Sequence, residues 1–234
     1  ILIKDSGFRG AIIKLGKNFS HLSLINKDVI VAGSAATEKQ VSDFALTNGL
    51  SGFEFLSCIP GTIGGGIRMN SGCFSSEIKD ILISVQAIDR FGKIVTIPSS
   101  KIKFQYRNSD LPKDLIFLSA SFKGQVKKKK EIENKMIEFK KKKEITQPTQ
   151  VKTGGSTFKN PIHQSNQKVW KLIKDSVPKN TSFGEALISD KHSNFFINKK
   201  NAKCEDMEKL IEYVRKKVKE KTGISLDLEI EIVG

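Results

Sequence analysis

Apolar positions along this chain repeat at two periods, and the change of period predicts where strands give way to helices. Residues 11–15 and 29–32 are short runs rich in β-branched residues and read as strands. Thr37 and Gln40 then match a capping box. Val41, Phe44 and Ala45 lie on one helical face, and Gly49 marks the stop. Residues 81–88 and 94–97 flank Asp89-Arg90-Phe91-Gly92 and predict a β-hairpin, with a further strand at 115–122. Helical spacing returns over 129–143, carried by Ile132, Met136 and Phe139. Thr146-Gln147-Pro148-Thr149-Gln150 breaks that period and sets a domain boundary after residue 145. Beyond it the pattern predicts a helix at 169–174, a strand pair at 186–189 and 194–198, and a long helix over 204–222. Met207, Leu210, Ile211, Val214 and Val218 form that helix's buried stripe and Gly223 ends it. A strand over 226–233 closes the chain. Strands and helices without strict alternation predict an α+β fold, not a doubly wound parallel sheet.

Composition narrows the class. Of 234 residues 38% are hydrophobic, enough for a real core, and no stretch approaches the ~20 apolar residues of a membrane span. Three cysteines lack metal-ligand spacing and three histidines are scattered, so the expectation is a reduced, cytoplasmic protein without a metal site. The opening Ile1-Leu2-Ile3-Lys4-Asp5 has neither a charged leader nor an apolar signal core. It reads as the middle of a strand, and a preceding segment is expected. The net charge of +15 has two readings, nucleic-acid binding or a solvated lysine surface. Residues 127–130 and 140–143 carry much of the excess, flank a helix and are not interleaved with aromatics, which favours the surface. A basic field also attracts an anionic nucleotide substrate.

The candidate chemistry is concentrated in two glycine-rich runs. Ile59-Pro60-Gly61-Thr62-Ile63-Gly64-Gly65-Gly66-Ile67-Arg68-Met69-Asn70-Ser71-Gly72 holds five glycines in fourteen residues. It matches neither a dinucleotide fingerprint nor a P-loop. It reads as a loop whose successive free N–H groups cradle a nucleotide phosphate, or as a tight structural turn. The second run is Thr153-Gly154-Gly155-Ser156-Thr157-Phe158-Lys159-Asn160-Pro161. No nucleophile elbow surrounds Ser156, so a proton donor fits better than a nucleophile, with Lys159 and Asn160 reaching substrate oxygens; a capped turn is the plainer reading. Tyr106-Arg107-Asn108-Ser109 offers a guanidinium able to grip a carboxylate bidentately, although Arg107 alone also reads as a surface residue. Alternation puts Asp227, Glu229 and Glu231 on one face of the terminal strand, where Glu229 alone reads as solvent-facing.

Taken in order, these segments resemble the UDP-N-acetylenolpyruvoylglucosamine reductase family. The resemblance extends through residues 1–10, 59–72, Tyr106-Arg107-Asn108-Ser109, Thr146-Gln147-Pro148, 155–161, Lys191-His192-Ser193-Asn194-Phe195 and 226–234. It implies an FAD-binding domain of two α+β subdomains over 1–145, N-terminally incomplete here, and a C-terminal α+β substrate-binding domain over 146–234. The short passage from Phe122 to Thr146 implies the family's shorter, second subgroup. The implied reaction reduces the enolpyruvyl group of a UDP-sugar in peptidoglycan precursor synthesis, with FAD as cofactor, NADPH as cosubstrate, and neither nucleic acid nor membrane as partner.

Carried onto this chain, the resemblance makes Arg107, Ser156 and Glu229 catalytic. Hydride passes from flavin to the β-carbon, Ser156 protonates the α-carbon, and Arg107 with protonated Glu229 stabilises the enediolate between them. Pro60, Gly61, Thr62, Gly64, Gly65, Asn70 and Gly72 fall where the family lies along FAD. Tyr106, Lys159 and Asn160 fall near the substrate. Three positions depart from the family pattern. Gly154 replaces an alanine, Lys143 stands near a usual arginine, and Val177-Pro178-Lys179-Asn180-Thr181-Ser182 replaces a Gly-Leu-Lys-Gly run.

Overall fold

A computed structural model describes residues 1–234, and its contacts divide the chain into two compact units, residues 13–143 and residues 1–12 with 144–234. In the first unit a five-stranded antiparallel sheet has the order Leu22–Ile25, Val29–Gly33, Ile116–Lys123, Leu82–Ile88, Ile94–Pro98. The 82–98 hairpin closes as its turn chemistry predicts. Asp89 Oδ1 accepts from the amides of Phe91 and Lys93, and Gly92 takes φ +82°.

Helix α1 (Glu38–Thr47) begins at the predicted capping box. Thr37 Oγ1 accepts from the Gln40 amide while Gln40 Oε1 accepts from that of Thr37. Val41 and Ala45 are buried with Ile30, Ala32, Phe53, Phe55, Leu56, Val85 and Phe122 in the unit's core. Residues 11–15, expected to form a strand, do not. Ile12 and Ile13 are exposed, and the first strand of the sheet begins only at Leu22.

The glycine run is also not the loop its composition predicts. Residues Ile63–Met69 form a short helix, α2, with Thr62 as N-cap. Ile63 and Ile67 are fully buried, and this apolar burial supports a helix that three glycines would otherwise disfavour. Asn70 ends it in the left-handed region at φ +43°. Helix α3 (Lys129–Thr146) follows the sheet, burying Ile132 and Phe139 along an otherwise charged surface.

The second unit contains a four-stranded antiparallel sheet ordered Lys152–Ser156, Phe195–Asn198, Ala186–Ile188, Ser182–Phe183. Helices α4 (Val169–Ser176) and α5 (Cys204–Thr222) pack together. Their core combines Val169, Leu172 and Ile173 with Leu210, Ile211, Val214, Val218 and Phe158. Gly223 stops α5 at φ +75°, as its position predicts.

The expected terminal strand is broken. Only Ile232–Val233 is a strand, pairing in parallel with Leu2–Ile3, and Leu228 forms a separate antiparallel bridge with Phe158. That pairing explains why residues 1–12 group with the C-terminal unit rather than with the rest of 1–145. Asp5 adds a second tie, its carboxylate accepting from the Cys204 and Glu205 amides at the N-terminus of α5.

Candidate active site

Within the 13–143 unit the candidate residues gather around α2. Pro60, Gly61, Thr62 and Gly65 are exposed and Gly64 is partly so. A Cβ added at Gly65 meets nothing closer than Thr62 Oγ1 at 3.7 Å, and one at Gly61 nothing closer than Glu38 Oε1 at 3.8 Å. Gly61 and Gly65 therefore leave bare backbone of the kind a flat ring system or a phosphate chain can approach, whereas a Cβ at Gly64 would lie 3.3 Å from Ser34 Cβ.

Several amides of the run are already engaged. The Ile63 amide donates to Ala36 O, Gly64 to Ser34 O and Gly66 to Thr62 O, while Gly65 is 3.4 Å from Thr62 Oγ1. The Ile63 and Gly64 amides, which a helix leaves unpaired at its N-terminus, are thus taken by the 34–36 segment, and the Gly66 amide bonds back to the cap residue.

Asn70 is completely buried. Its Nδ2 donates to Glu77 Oε2 and Gln105 O, and its Oδ1 accepts from the Lys79 amide. It therefore holds the end of α2 against the strand Phe104–Gln105. Gly72 is required by close approach, since a Cβ there would lie 2.4 Å from Ser76 O.

Tyr106 and Arg107 form the two-residue link between Phe104–Gln105 and Asn108–Ser109, which pair antiparallel. Arg107 adopts φ +55°, a left-handed conformation that a non-glycine residue holds only when its surroundings over-determine it. Here its Nη2 donates to Gly72 O at 2.8 Å, and its guanidinium lies 4.9 Å from the centre of the Tyr106 ring. Ser109 Oγ donates to Arg68 O, tying the same hairpin to α2. Arg68 itself is structural: it donates to Leu111 O, Pro112 O and Leu115 O and stacks on Phe117.

A residue that the sequence did not single out lies beneath α2. Glu38 is buried at the first position of α1 and receives a hydrogen bond from Ser71 Oγ at 2.8 Å, while its Oε2 is buried without a partner. Burial pushes its carboxyl up to about 7, against the opposing influence of the Ser71 hydrogen bond and the Arg107 charge. Burial likewise pushes the Cys73 thiol up to about 12, which leaves it no nucleophile.

In the C-terminal unit, Ser156 and Glu229 lie on adjoining segments. The strand Lys152–Ser156 pairs with Phe195–Asn198, but its register shifts between Thr153 and Ser156, with Gly155 at φ +87°. Such an irregularity re-aims the side chains beside it. The segment after it then pairs the other way. Glu229 N donates to Thr157 O, Lys159 N donates to Asp227 O, and Phe158 bridges Leu228. Asn160 Oδ1 accepts from the Val169 amide at the start of α4.

Asn194 was missed as a positioning residue. It is buried, with its Oδ1 accepting from the Phe158 amide and its Nδ2 donating to Phe158 O, while its own carbonyl accepts from Thr157 N. One side chain thus acts as an extra strand for the backbone immediately after Ser156.

A cavity of about 570 Å³ in the same unit includes none of Ser156, Lys159, Asn160 or Glu229 in its lining. Trp170, Lys174, Lys191 and His192 contribute to it, together with 177–180 of the segment that departs from the family pattern. Burial holds His192 below its ordinary range.

Comparison with known proteins supplies the frame for these two clusters. The family described as UDP-N-acetylenolpyruvoylglucosamine reductase, C-terminal domain, matches residues 147–233, and an FAD binding domain matches residues 2–98. A UDP-N-acetylenolpyruvoylglucosamine reductase of Pelagibacter ubique is 63% identical over 232 residues, covering 99% of this chain and 77% of that protein. The Rickettsia conorii protein of the same name is 42% identical over 234 residues, covering all of this chain and 78% of its own. The crystal structure of a UDP-N-acetylenolpyruvylglucosamine reductase from Thermus caldophilus superposes with a TM-score of 0.86 at 29% identity, over the whole of this chain and 82% of that one.

Proposed function

The chain belongs to the UDP-N-acetylenolpyruvoylglucosamine reductase family and contains its FAD-binding domain, and from that premise we propose that NADPH is its reductant and that Arg107, Ser156 and Glu229 carry its chemistry. Its reaction is a reduction in peptidoglycan precursor synthesis. The substrate in this reading is the UDP-sugar bearing an enolpyruvyl ether, in which an alkene is conjugated to a carboxylate. Residues 13–143 hold FAD and residues 144–234 bind the sugar nucleotide.

The residues of α2 fit the cofactor in one respect that the fold itself defines: Gly61 and Gly65 leave open the volume that side chains would fill. Pro60, Thr62 and Gly64 flank these two openings, and Asn70 and Gly72 fix the exit of α2. Bound FAD, reduced by NADPH, would supply hydride equivalents to the β-carbon. The rest of the chemistry falls to the protein.

Addition at the β-carbon moves negative charge onto the substrate carboxylate. Arg107 binds that carboxylate through its forked donors and stabilises the charge as it develops. Glu229, in its protonated form, donates a hydrogen bond to the same group. Ser156 protonates the α-carbon. A hydroxyl is a weak acid in water, but its partner is a strongly basic carbanion equivalent, so placement matters more than acidity. Tyr106, Lys159 and Asn160 contact the substrate around this centre.

The observation that supports this reading best is the pairing of 157–159 with 227–229, immediately after the register shift at Ser156. It anchors the proton donor and the carboxylate on rigid backbone. Ser156→Ala should leave flavin reduction by NADPH near the parent rate and slow flavin reoxidation by the enolpyruvyl sugar by about 100-fold or more. Anaerobic stopped-flow at the flavin absorbance separates the two half-reactions. Equal reoxidation rates in variant and parent would remove Ser156 from the mechanism.

A further inference from the structure

Glu38 is a buried acid to which the proposed chemistry gives no part, yet its connections lead to Arg107. Its carboxyl accepts from Ser71 Oγ, the residue after Ser71 is Gly72, and the Gly72 carbonyl accepts from Arg107 Nη2. The pair is built in tightly: a Cβ at Gly66 would lie 2.5 Å from Glu38 Oε1 and 2.8 Å from Ser71 Oγ, so only glycine leaves room for it. Main-chain bonds fix both ends, with Glu38 N donating to Gly61 O, Ser71 N to Gly66 O and Ile78 N to Ser71 O.

We propose that Glu38 is a positioning residue for Arg107, anchoring through Ser71 the Gly72 carbonyl that orients the guanidinium and setting by its own charge how strongly Arg107 attracts a carboxylate. The inference rests on the reading of Arg107 as the group that binds the substrate carboxylate.

The electrostatics give it a direction. The groups facing Glu38 are Ser71 at the exit of α2, Arg107 from the 104–109 hairpin and Cys73 from the adjoining strand. Cys73 stays neutral throughout the working range, because its thiol is pushed up to about 12. Arg107 is therefore the charge that responds. With its proton on, Glu38 leaves the field of Arg107 unopposed from this side. Raising the pH through about 7 ionises it and adds a negative charge against that guanidinium. Attraction for a substrate carboxylate then weakens.

Direct binding of the enolpyruvyl UDP-sugar to the FAD-loaded protein, measured by calorimetry without NADPH, tests this. Parent, Glu38→Gln, Glu38→Ala and Arg107→Ala are compared from pH 6 to 8.5. In the parent the dissociation constant should rise about tenfold across that range, the equivalent of one pKa unit. Glu38→Gln, which keeps an acceptor for Ser71 but cannot ionise, should flatten the profile. Glu38→Ala should bind more weakly at every pH, because Ser71 loses its partner and the Gly72 carbonyl its anchor. The visible flavin spectrum of each variant checks that the cofactor site is intact. Parallel pH profiles for the parent and Glu38→Gln would overturn the proposal while leaving the role of Arg107 standing. Undiminished binding by Arg107→Ala would overturn that role, and the proposal with it.

Discussion

At the scale of single residues, the positions that matter most here act on backbone rather than on each other's side chains. Asn194 supplies both halves of a strand-like pairing to Phe158, two residues after Ser156. Removing its amide leaves a buried N–H and a buried C=O without partners, and each such group costs about 1–3 kcal/mol. Asn194→Ala should therefore lower unfolding stability by roughly 2–4 kcal/mol, below the sum because the site can relax. It should also slow flavin reoxidation by the enolpyruvyl sugar. Urea unfolding and the flavin stopped-flow trace read the two effects separately, and a variant as stable as the parent would show that the pairing is dispensable. The sequence did not reveal this role, because an asparagine's use depends on which backbone lies beside it, and here that backbone is 36 residues away. Ser156 and Arg107 could be nominated from motif order. Glu38 carried no such signal, since an acidic residue in the first turn of a helix ordinarily faces water and complements the dipole.

At the scale of elements, legibility followed whether a pattern was satisfied locally. The capping box of α1 and the apolar stripe and glycine stop of α5 need only their own neighbours, and both formed where the sequence put them. The glycine run misled because composition outweighs pattern there. Three central glycines suggest a loop, while Thr62 as cap, Ile63 and Ile67 four apart on one face, and Asn70 as left-handed terminus specify a helix. The 226–233 segment alternates like one strand, but its partners are two different pieces of chain, Phe158 near its start and Leu2–Ile3 near its end. The helix reading of the glycine run yields a paired prediction. Gly65→Ala has room, so it should hold or raise the melting temperature, alanine being favoured over glycine by about 1 kcal/mol in a helix. Yet it should weaken FAD binding by placing a methyl group on the bare backbone. Gly66→Ala should instead lose about 1–3 kcal/mol of stability by driving Cβ into the Glu38–Ser71 pair. FAD titration by fluorescence quenching with parallel thermal melts distinguishes them; unaltered FAD affinity in Gly65→Ala would remove Gly65 as a flavin contact.

At the scale of the whole chain, the sequence anticipated mixed α+β units but not how the N-terminal residues are shared between them. Leu2–Ile3 complete a sheet with the last strand, a pairing across more than 200 residues that no local pattern encodes. The net charge of +15 is carried largely by exposed lysines. Several on α3 and α5 pair with glutamates one helical turn away, contacts worth only a few tenths of a kcal/mol each in water. Their collective field favours an anionic substrate such as a nucleotide sugar. No helix is long and apolar enough to cross a membrane. The central claim is that electrons from NADPH reach an enolpyruvyl UDP-sugar through FAD held by this fold. Its most direct test is NADPH oxidation by the FAD-reconstituted protein, followed at the nicotinamide absorbance with and without that sugar. The account predicts sustained oxidation that requires the sugar, matched mole for mole by its reduced lactyl ether. Oxidation indifferent to the sugar, or none in its presence, would contradict it.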